Sequence, residues 1–570
     1  MTRLDGRSRR QGISYLLGMG PLLILLALLI VLPLGMLLYA SFVDSPPNPG
    51  AAIGKPTWQN FSFLGTSAGR DAVRNSLVIG VGGTALATVF GASLAWLAAR
   101  SDIPLRPLVY LAGVLPLFID SLVGTLAWTV LAAPTSGFIN LVLADLGIPW
   151  TLNIYSVGGI VFVLALYYAP FIFLLVHSAL VLVDSQLEEA ALVAGASSFR
   201  VVRAITFPVV APALIGSMLL CFMLTLENFP VPEILGTPAR VNSLPTVIFQ
   251  FMSSSPARAN EAAALGTVLT LFMLLLLFAY TRFIQRRDYA TVTGKGLRIR
   301  RTRLAAWRWV ALSYSALYTL LSVVLPIAAL CVVSMRVDRY ISSASELLGG
   351  NWSLGRVSEM LAEPDFRKAT YNSLLAALVA AVLGAALYLW ISYVRYRTSL
   401  RGRKVLEQIS MLPLAMPALV LGLGYLWTWI RLPLPLYGTL MILSLAFVSR
   451  FAPQGVRSVS ASINQISPDL EAAARVGGAG RVRSVLEITV PLMRTGLGAT
   501  MLLVFVLSIR ELSVAIFLYS PDSIVLSILV FNKWVGGSFA DAATISLLYS
   551  MLLLFITLAG RRWLEGAERA

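Results

Sequence analysis

The sequence predicts an all-α polytopic membrane protein of about 12 transmembrane helices, set out as two parallel six-helix repeats. Three observations lead there. The 570-residue chain is 58% hydrophobic and only 12% charged, with a mean hydropathy of +0.81, whereas soluble domains carry about 25% charged residues. Apolar runs of about 20 residues, enough to cross a bilayer, recur along the whole length. Short motifs also return in the same order in each half.

The basic N-terminus, "MTRLDGRSRRQG", leads into an apolar run from Ile13 to about Phe42. That run is longer than the apolar core of a signal peptide and has no clear small-residue cleavage site. It reads as a retained first span. The first half is expected to span at 13–42, 73–98, 107–131, 155–183, 207–229 and 261–283, and the second at 309–334, 373–394, 405–430, 438–460, 495–518 and 541–560. With the N-terminus inside, the cytoplasmic segments are 1–12, 99–106, 184–206, 282–308, 395–404, 450–494 and 561–570. They hold 31 of the 44 Lys and Arg residues. This bias places both termini in the cytoplasm. It also argues against a nucleic-acid partner, because the basic residues sit in short loops instead of forming one binding stripe. The most basic segment lies between the halves and divides the chain into a first unit, 1–284, a cytoplasmic connector, 285–308, and a second unit, 309–570.

The halves echo each other at fixed spacings. "RNSLVIG" at 74–80 answers "YNSLLAA" at 371–377, and "VLPLF" at 114–118 answers "MLPLA" at 411–415, both at an offset of 297. Six spans separate equivalent points, so the repeats run parallel about an axis along the membrane normal.

A polar helix is also written twice, as "LEEAALVAGASSFRVVRAITFP" at 187–208 and "LEAAARVGGAGRVRSVLEITVP" at 470–491. Ser185 and Glu188 have capping-box spacing, and Ser467 precedes a proline at the first helical position. Acidic residues follow in each first turn, at the positive end of the helix dipole. Ala190 with Ala194 and Ala191 with Gly195 lie four apart, which leaves a shallow face for close approach. Glycines at 195, 477, 478 and 480 permit a bend before the next span. One copy alone would fit an ordinary amphipathic loop helix. Two copies, both cytoplasmic and equivalently placed, suit a two-fold symmetric partner.

These residues resemble the EAA loop of the binding-protein-dependent ABC importer permeases. Glu189, Ala190, Ala191, Gly195, Ile205 and Pro208 fit the family's spacing. Glu471, Ala472, Ala473, Gly477, Ile488 and Pro491 fit it with one extra residue between Gly477 and Ile488. The resemblance implies two fused permease units with coupling loops at 184–208 and 461–494. Each loop would dock on one copy of an ABC ATPase through Glu189, Ala190, Ala191 and Gly195, or through Glu471, Ala472, Ala473 and Gly477. It further implies a bacterial cytoplasmic membrane location and an extracytoplasmic substrate-binding protein as partner, alongside the membrane lipids. ATP and Mg would reside on the ATPase, with no cofactor and no metal bound by this chain. The stretches 226–249 and 510–544 resemble the fused permeases of ferric-iron importers, and related fused permeases serve thiamine and phosphonates.

The chain carries no G-x-x-x-x-G-K-[S/T] sequence, and "TGKG" at 293–296 lacks the leading glycine and the hydroxyl residue of a phosphate loop. With one histidine and no nucleophile–base set, it reads as a transport subunit and not an enzyme. His177 fits either a packed, hydrogen-bonded residue or a proton relay, and Cys221 and Cys331 read as small core residues. Charges in or near spans are the candidate pathway residues, since each costs about 2.5–3.5 kcal/mol at the bilayer centre. They are Asp120, Glu227, Arg510 and Glu511, with Glu227 and Glu511 expected at matching places. An ion-gradient-driven secondary transporter would share the parallel halves but leave the doubled helix without a role.

Overall fold

The computed structural model describes residues 19–46, 50, 54–183, 185–285, 302–337, 343, 345, 346, 349 and 351–569. Among them the regular structure is helical, and strand pairing is confined to isolated bridges. By length and composition eight helices can cross a membrane, or eleven if each of three bent pairs is one span. The remaining expected span, 438–460, is interrupted: Leu440–Arg450 ends at Phe451 and Ala452–Ile463 begins.

In the first half, α1 (Gly20–Ser41) is followed by α2 (Ser67–Arg100). Thr66 starts α2 by accepting the Gly69 amide at 3.0 Å on its hydroxyl. At 34 residues, α2 is about 50 Å long, well beyond the ~30 Å hydrocarbon core. It is therefore longer than a span needs. The next span is broken into α3 (Arg106–Phe118) and α4 (Ser121–Ala132), bent by 98°. Tight turns at Leu115–Phe118 and an extended Ile119 make the corner. Then come α5 (Val157–Val181), the polar helix α6 (Ser185–Val193), α7 (Val202–Glu227), the short α8 (Pro230–Gly236) and α9 (Leu244–Ser253), and α10 (Ala259–Gln285). Close packing of α2 on α5 depends on small residues: a Cβ on Gly91 would lie 2.5 Å from the Ala169 carbonyl oxygen.

The second half follows the same plan. It runs α11 (Trp307–Met335), α12 (Pro364–Arg397), a broken span of α13 (Arg403–Leu414) and α14 (Ala418–Arg431) bent by 111°, then α15 (Leu440–Arg450) and α16 (Ala452–Ile463). It closes with the polar helix α17 (Pro468–Val476), the pair α18 (Val482–Leu492) and α19 (Arg494–Ile509), α20 (Leu526–Val535) and α21 (Phe539–Arg569). The continuous α5 thus corresponds to the interrupted α15–α16 pair.

Each half leans its first helix on the other. Helix α1 packs on α14, and α11 packs on α4. Tyr318 of α11 donates to the Leu166 carbonyl of α5 at 2.8 Å, while Ser449 of α15 donates to the Leu29 carbonyl of α1 at 3.1 Å. Of the expected connector, residues 286–301 lie outside the described residues. Its end is tied down: Thr302 forms a parallel bridge with Ser101, and Asp102 accepts the Leu304 amide at 2.8 Å.

Candidate functional site

Two sites emerge, one at the edge that carries the polar helices and one midway along the broken spans. At the edge, the bounds and closing hydrogen bonds of α6 and α17 correspond at an offset of 283. The Gly195 amide donates to Leu192 and the Ala196 amide to Ala191, while Gly478 donates to Arg475 and Ala479 to Ala474. Gly195 and Gly478 both take a left-handed conformation, at φ of 88° and 89°, which a side chain would strain. Gly477 has an ordinary φ of −71°.

This register differs from the one read in the sequence. Glu188, not Glu189, matches Glu471, and Gly478, not Gly477, matches Gly195, so no residue is inserted in the second copy. Alanine takes the position of Glu189 there, and that substitution hides the alignment from a motif search. Glu189, Ala190, Ala472 and Ala473 are exposed, Ala191 is half-buried, and Glu471 is buried against its own half. Beyond them Val193 and Val476 are 90% and 91% exposed at equivalent points. The expected cap at Ser185 falls on a side chain outside the described set. Ser467 does cap α17, accepting the Asp469 amide at 3.3 Å.

Glu188 and Glu471 turn inward. The Glu188 carboxylate meets Arg100 at 3.4 Å and accepts the Thr206 hydroxyl at 2.6 Å. Glu471 lies 3.7 Å from Arg397 and accepts the Thr489 hydroxyl at 2.8 Å, with Tyr393 donating at 3.0 Å. A wide helical turn, 202–206 or 485–489, carries each threonine just before Pro208 or Pro491. A proline lacks the amide that would continue the regular ladder.

The second site lies where α3–α4 and α13–α14 break. Arg510 donates to the Leu117 carbonyl at 2.8 Å and to Ile119 at 3.4 Å, and meets Asp120 at 3.4 Å. Arg450 donates to the Pro413 and Met416 carbonyls at 3.3 and 3.1 Å and meets Glu227 at 2.6 Å. Glu227 in turn accepts a backbone hydrogen bond at Ala418. Each corner therefore has an arginine on the carbonyl end of its inner half-helix and a carboxylate at the amide end of its outer one. That polarity suits the helix dipoles.

The two corners reach this state from different positions. Glu511 Oε1 accepts the Val514 amide at 3.1 Å, as Asn228 Oδ1 accepts that of Val231 at 3.0 Å. This equivalence aligns Asn228 with Glu511 and Glu227 with Arg510. Glu227 and Glu511 are thus neighbours across the centre, not counterparts. Arg450 occupies the place of Tyr167, and Pro417 that of Asp120. Asp120, Glu227, Arg510 and Glu511 are brought to one layer, and Arg450, which sequence reading passed over, completes it. Just beyond it, Phe249 of α9 meets its counterpart Phe531 of α20 edge-on, with ring centroids 5.9 Å apart. Phe229 packs 5.8 Å from Phe531. Among the described residues no group of three or more His, Cys, Asp or Glu side chains is arranged to hold a metal ion.

Residues 83–288, which carry Arg100, Glu188 and Thr206 and both half-helices of the first corner, match the family of binding-protein-dependent transport system inner membrane components. The ferric transport system permease protein FbpB of Actinobacillus pleuropneumoniae is 26% identical over 418 residues, a stretch too long to lie in one half. That match covers 71% of this chain and 58% of the relative, so the chain spans little more than half of that protein's length. A putative ferric transport system permease protein, FbpB 1 of Haemophilus influenzae, is 26% identical, covering 79% of this chain and 70% of the relative. A putative 2-aminoethylphosphonate transport system permease protein, PhnV of Salmonella paratyphi A, is 26% identical over 33% of this chain and 72% of itself. The crystal structure of a bacterial alginate ABC transporter with its pentasaccharide-bound periplasmic protein aligns with 44% of this chain and 91% of its own chain, at a TM-score of 0.36 and 17% identity.

Proposed function

We propose that this chain is the membrane-spanning permease subunit of an ATP-driven importer and that its substrate is ferric iron. In this reading α6 and α17 each seat on one copy of an ABC ATPase, which supplies ATP and Mg. An extracytoplasmic binding protein delivers the substrate. The exposed Val193 and Val476, held at equivalent points on helices anchored from within, support a paired docking surface. The observation that carries the substrate is the likeness to ferric permeases over most of the chain, across both halves.

The central layer fits a gate. Asp120, Glu227 and Glu511 offer carboxylate oxygens, which suit a hard cation, and Arg510 and Arg450 hold two of them in ion pairs. Closure of the ATPases would turn the halves against each other, part these pairs and the Phe249–Phe531 contact, and open the path outward. Reset would release the substrate inside, with both termini on that side. A phosphonate on the same architecture is the second reading, favoured by the 2-aminoethylphosphonate relative and by the buried arginines, which would bind an anion.

Uptake of radiolabelled ferric citrate decides between them, in cells with and without this gene and with and without ATP depletion. Gene- and ATP-dependent uptake supports iron. Uptake of labelled 2-aminoethylphosphonate in its place would replace iron while leaving the importer reading intact.

A further inference from the structure

Arg100 and Arg397 stand at the C-terminal ends of α2 and α12, and both are buried although they carry charge. Arg100 Nε donates to the Leu180 carbonyl at 3.0 Å and Nη2 to Val183 at 2.7 Å, closing the end of α5. Its Nη1 reaches Glu188 of α6 at 3.4 Å, and Glu188 holds Thr206 at the start of α7. In the second half Arg397 donates to Ile463 at 2.9 Å and Ile466 at 2.5 Å, at the end of α16. It faces Glu471 of α17, which holds Thr489 at the start of the next span. The three partners of Arg100, and the Thr206 that Glu188 holds, recur at an offset of 283, and the arginines themselves at 297. Among the described residues no other charged cluster returns partner for partner, although different guanidinium nitrogens make the contacts in the two halves. The central layer, by contrast, has diverged.

A buried arginine with a carboxylate is a poor device for stability alone, because desolvation offsets much of the attraction. Its planar fork does something an apolar side chain cannot: it fixes several elements at defined angles at once. The polar helix touches the rest of its half through few other contacts. Without the clasp it is joined to the spans only by its flanking chain.

We propose that Arg100 and Arg397, with Glu188 and Glu471, are positioning residues that turn a displacement of α6 and α17 into joint movement of three spans in each half. This rests on the importer reading above. Glu188 and Glu471 would act from inside the membrane domain and not by touching the ATPase, whose seat would be formed by the exposed side of each helix.

The test uses the complex as it is isolated with its ATPase, in lipid nanodiscs, with Cys221 and Cys331 replaced by Ala. One spin-label pair, Ala194→Cys with Gly477→Cys, at the exposed ends of α6 and α17, reports the polar helices. A second pair, Leu146→Cys with Leu434→Cys, reports the opposite face. Neither pair touches the clasp, and no substrate is needed, only MgATP trapped with vanadate. In the otherwise native complex ATP should shift both distances. In Arg100→Lys/Arg397→Lys and in Glu188→Gln/Glu471→Gln the polar-helix pair should still shift, while the population showing the second shift falls about tenfold. Two mild double variants are used because removing a buried arginine outright could prevent assembly. A second shift that survives in both variants overturns the clasp and leaves the importer reading standing. If ATP moves neither pair in the unaltered complex, the importer reading fails and the clasp falls with it. Equal loss of both shifts would mark the residues as structural and also overturn the proposal.

Discussion

The edges of the two halves that carry the polar helices are copies, and their centres are not. At the edge, Arg100, Glu188, Thr206 and Gly195 find Arg397, Glu471, Thr489 and Gly478 in the same roles. At the broken spans, Asp120, Tyr167, Glu227 and Asn228 face Pro417, Arg450, Arg510 and Glu511. The edge is repeated where a two-fold partner would read it, and the centre differs where a single substrate would pass. Even there the chemistry is kept. Both corners end with one carboxylate and one arginine, supplied from non-equivalent positions.

The sharpest way to break this comparison is at position 450 and its counterpart 167. Arg450→Gln leaves Glu227 buried without its partner and is expected to destabilise by about 3–5 kcal/mol, read as a fall in the unfolding midpoint together with loss of uptake. Tyr167→Phe removes a hydroxyl that has no hydrogen-bond partner among the described residues and should change neither. Next, Glu227→Gln and Glu511→Gln should impair uptake while the ATPase still co-purifies. Uptake at the unaltered rate would remove them from the pathway. At the edge, Thr206→Val and Thr489→Val each delete one hydrogen bond to a carboxylate, worth about 2 kcal/mol. Equal losses of thermal stability support equivalent clasps, and a loss in one half alone contradicts them. The smallest effect tests the register. Gly195→Ala and Gly478→Ala should each cost about 1 kcal/mol for the left-handed backbone, and Gly477→Ala close to nothing.

The fold was legible because it rests on long-range statistics: apolar length, basic bias and ordered repetition survive local noise. The exact span count was not. Residues 438–460 are apolar enough to read as one helix, yet the chain breaks at Phe451 before Pro453, while Pro170 at the matching place stays inside α5. Proline alone therefore does not announce the break. Arg450, the last residue of α15, holds the carbonyls at the corner of the neighbouring broken span, and that is a tertiary fact. The two polar helices were legible in their pattern but set one residue out, because the second copy replaces one of two adjacent glutamates with alanine. Matching carboxylate to carboxylate pairs Glu227 with Glu511, one residue past its true counterpart Arg510. The offset of 283 linking Thr206 to Thr489 and Pro208 to Pro491 held the correct register all along.

The exchanged charges at the two corners also decide who can pair with whom. Two copies of the first half, related by a true two-fold, would set Asp120 against Glu227 at both corners, with no arginine in reach. Two copies of the second would gather Arg450 and Arg510 around Pro417, with Glu511 as the one carboxylate for two arginines. Either self-assembly would bury like charges, a penalty that excludes wrong partners as effectively as a good contact selects the right one. The halves are mutually obligate, and joining them in one polypeptide ensures that every first half is born beside the only surface that neutralises it.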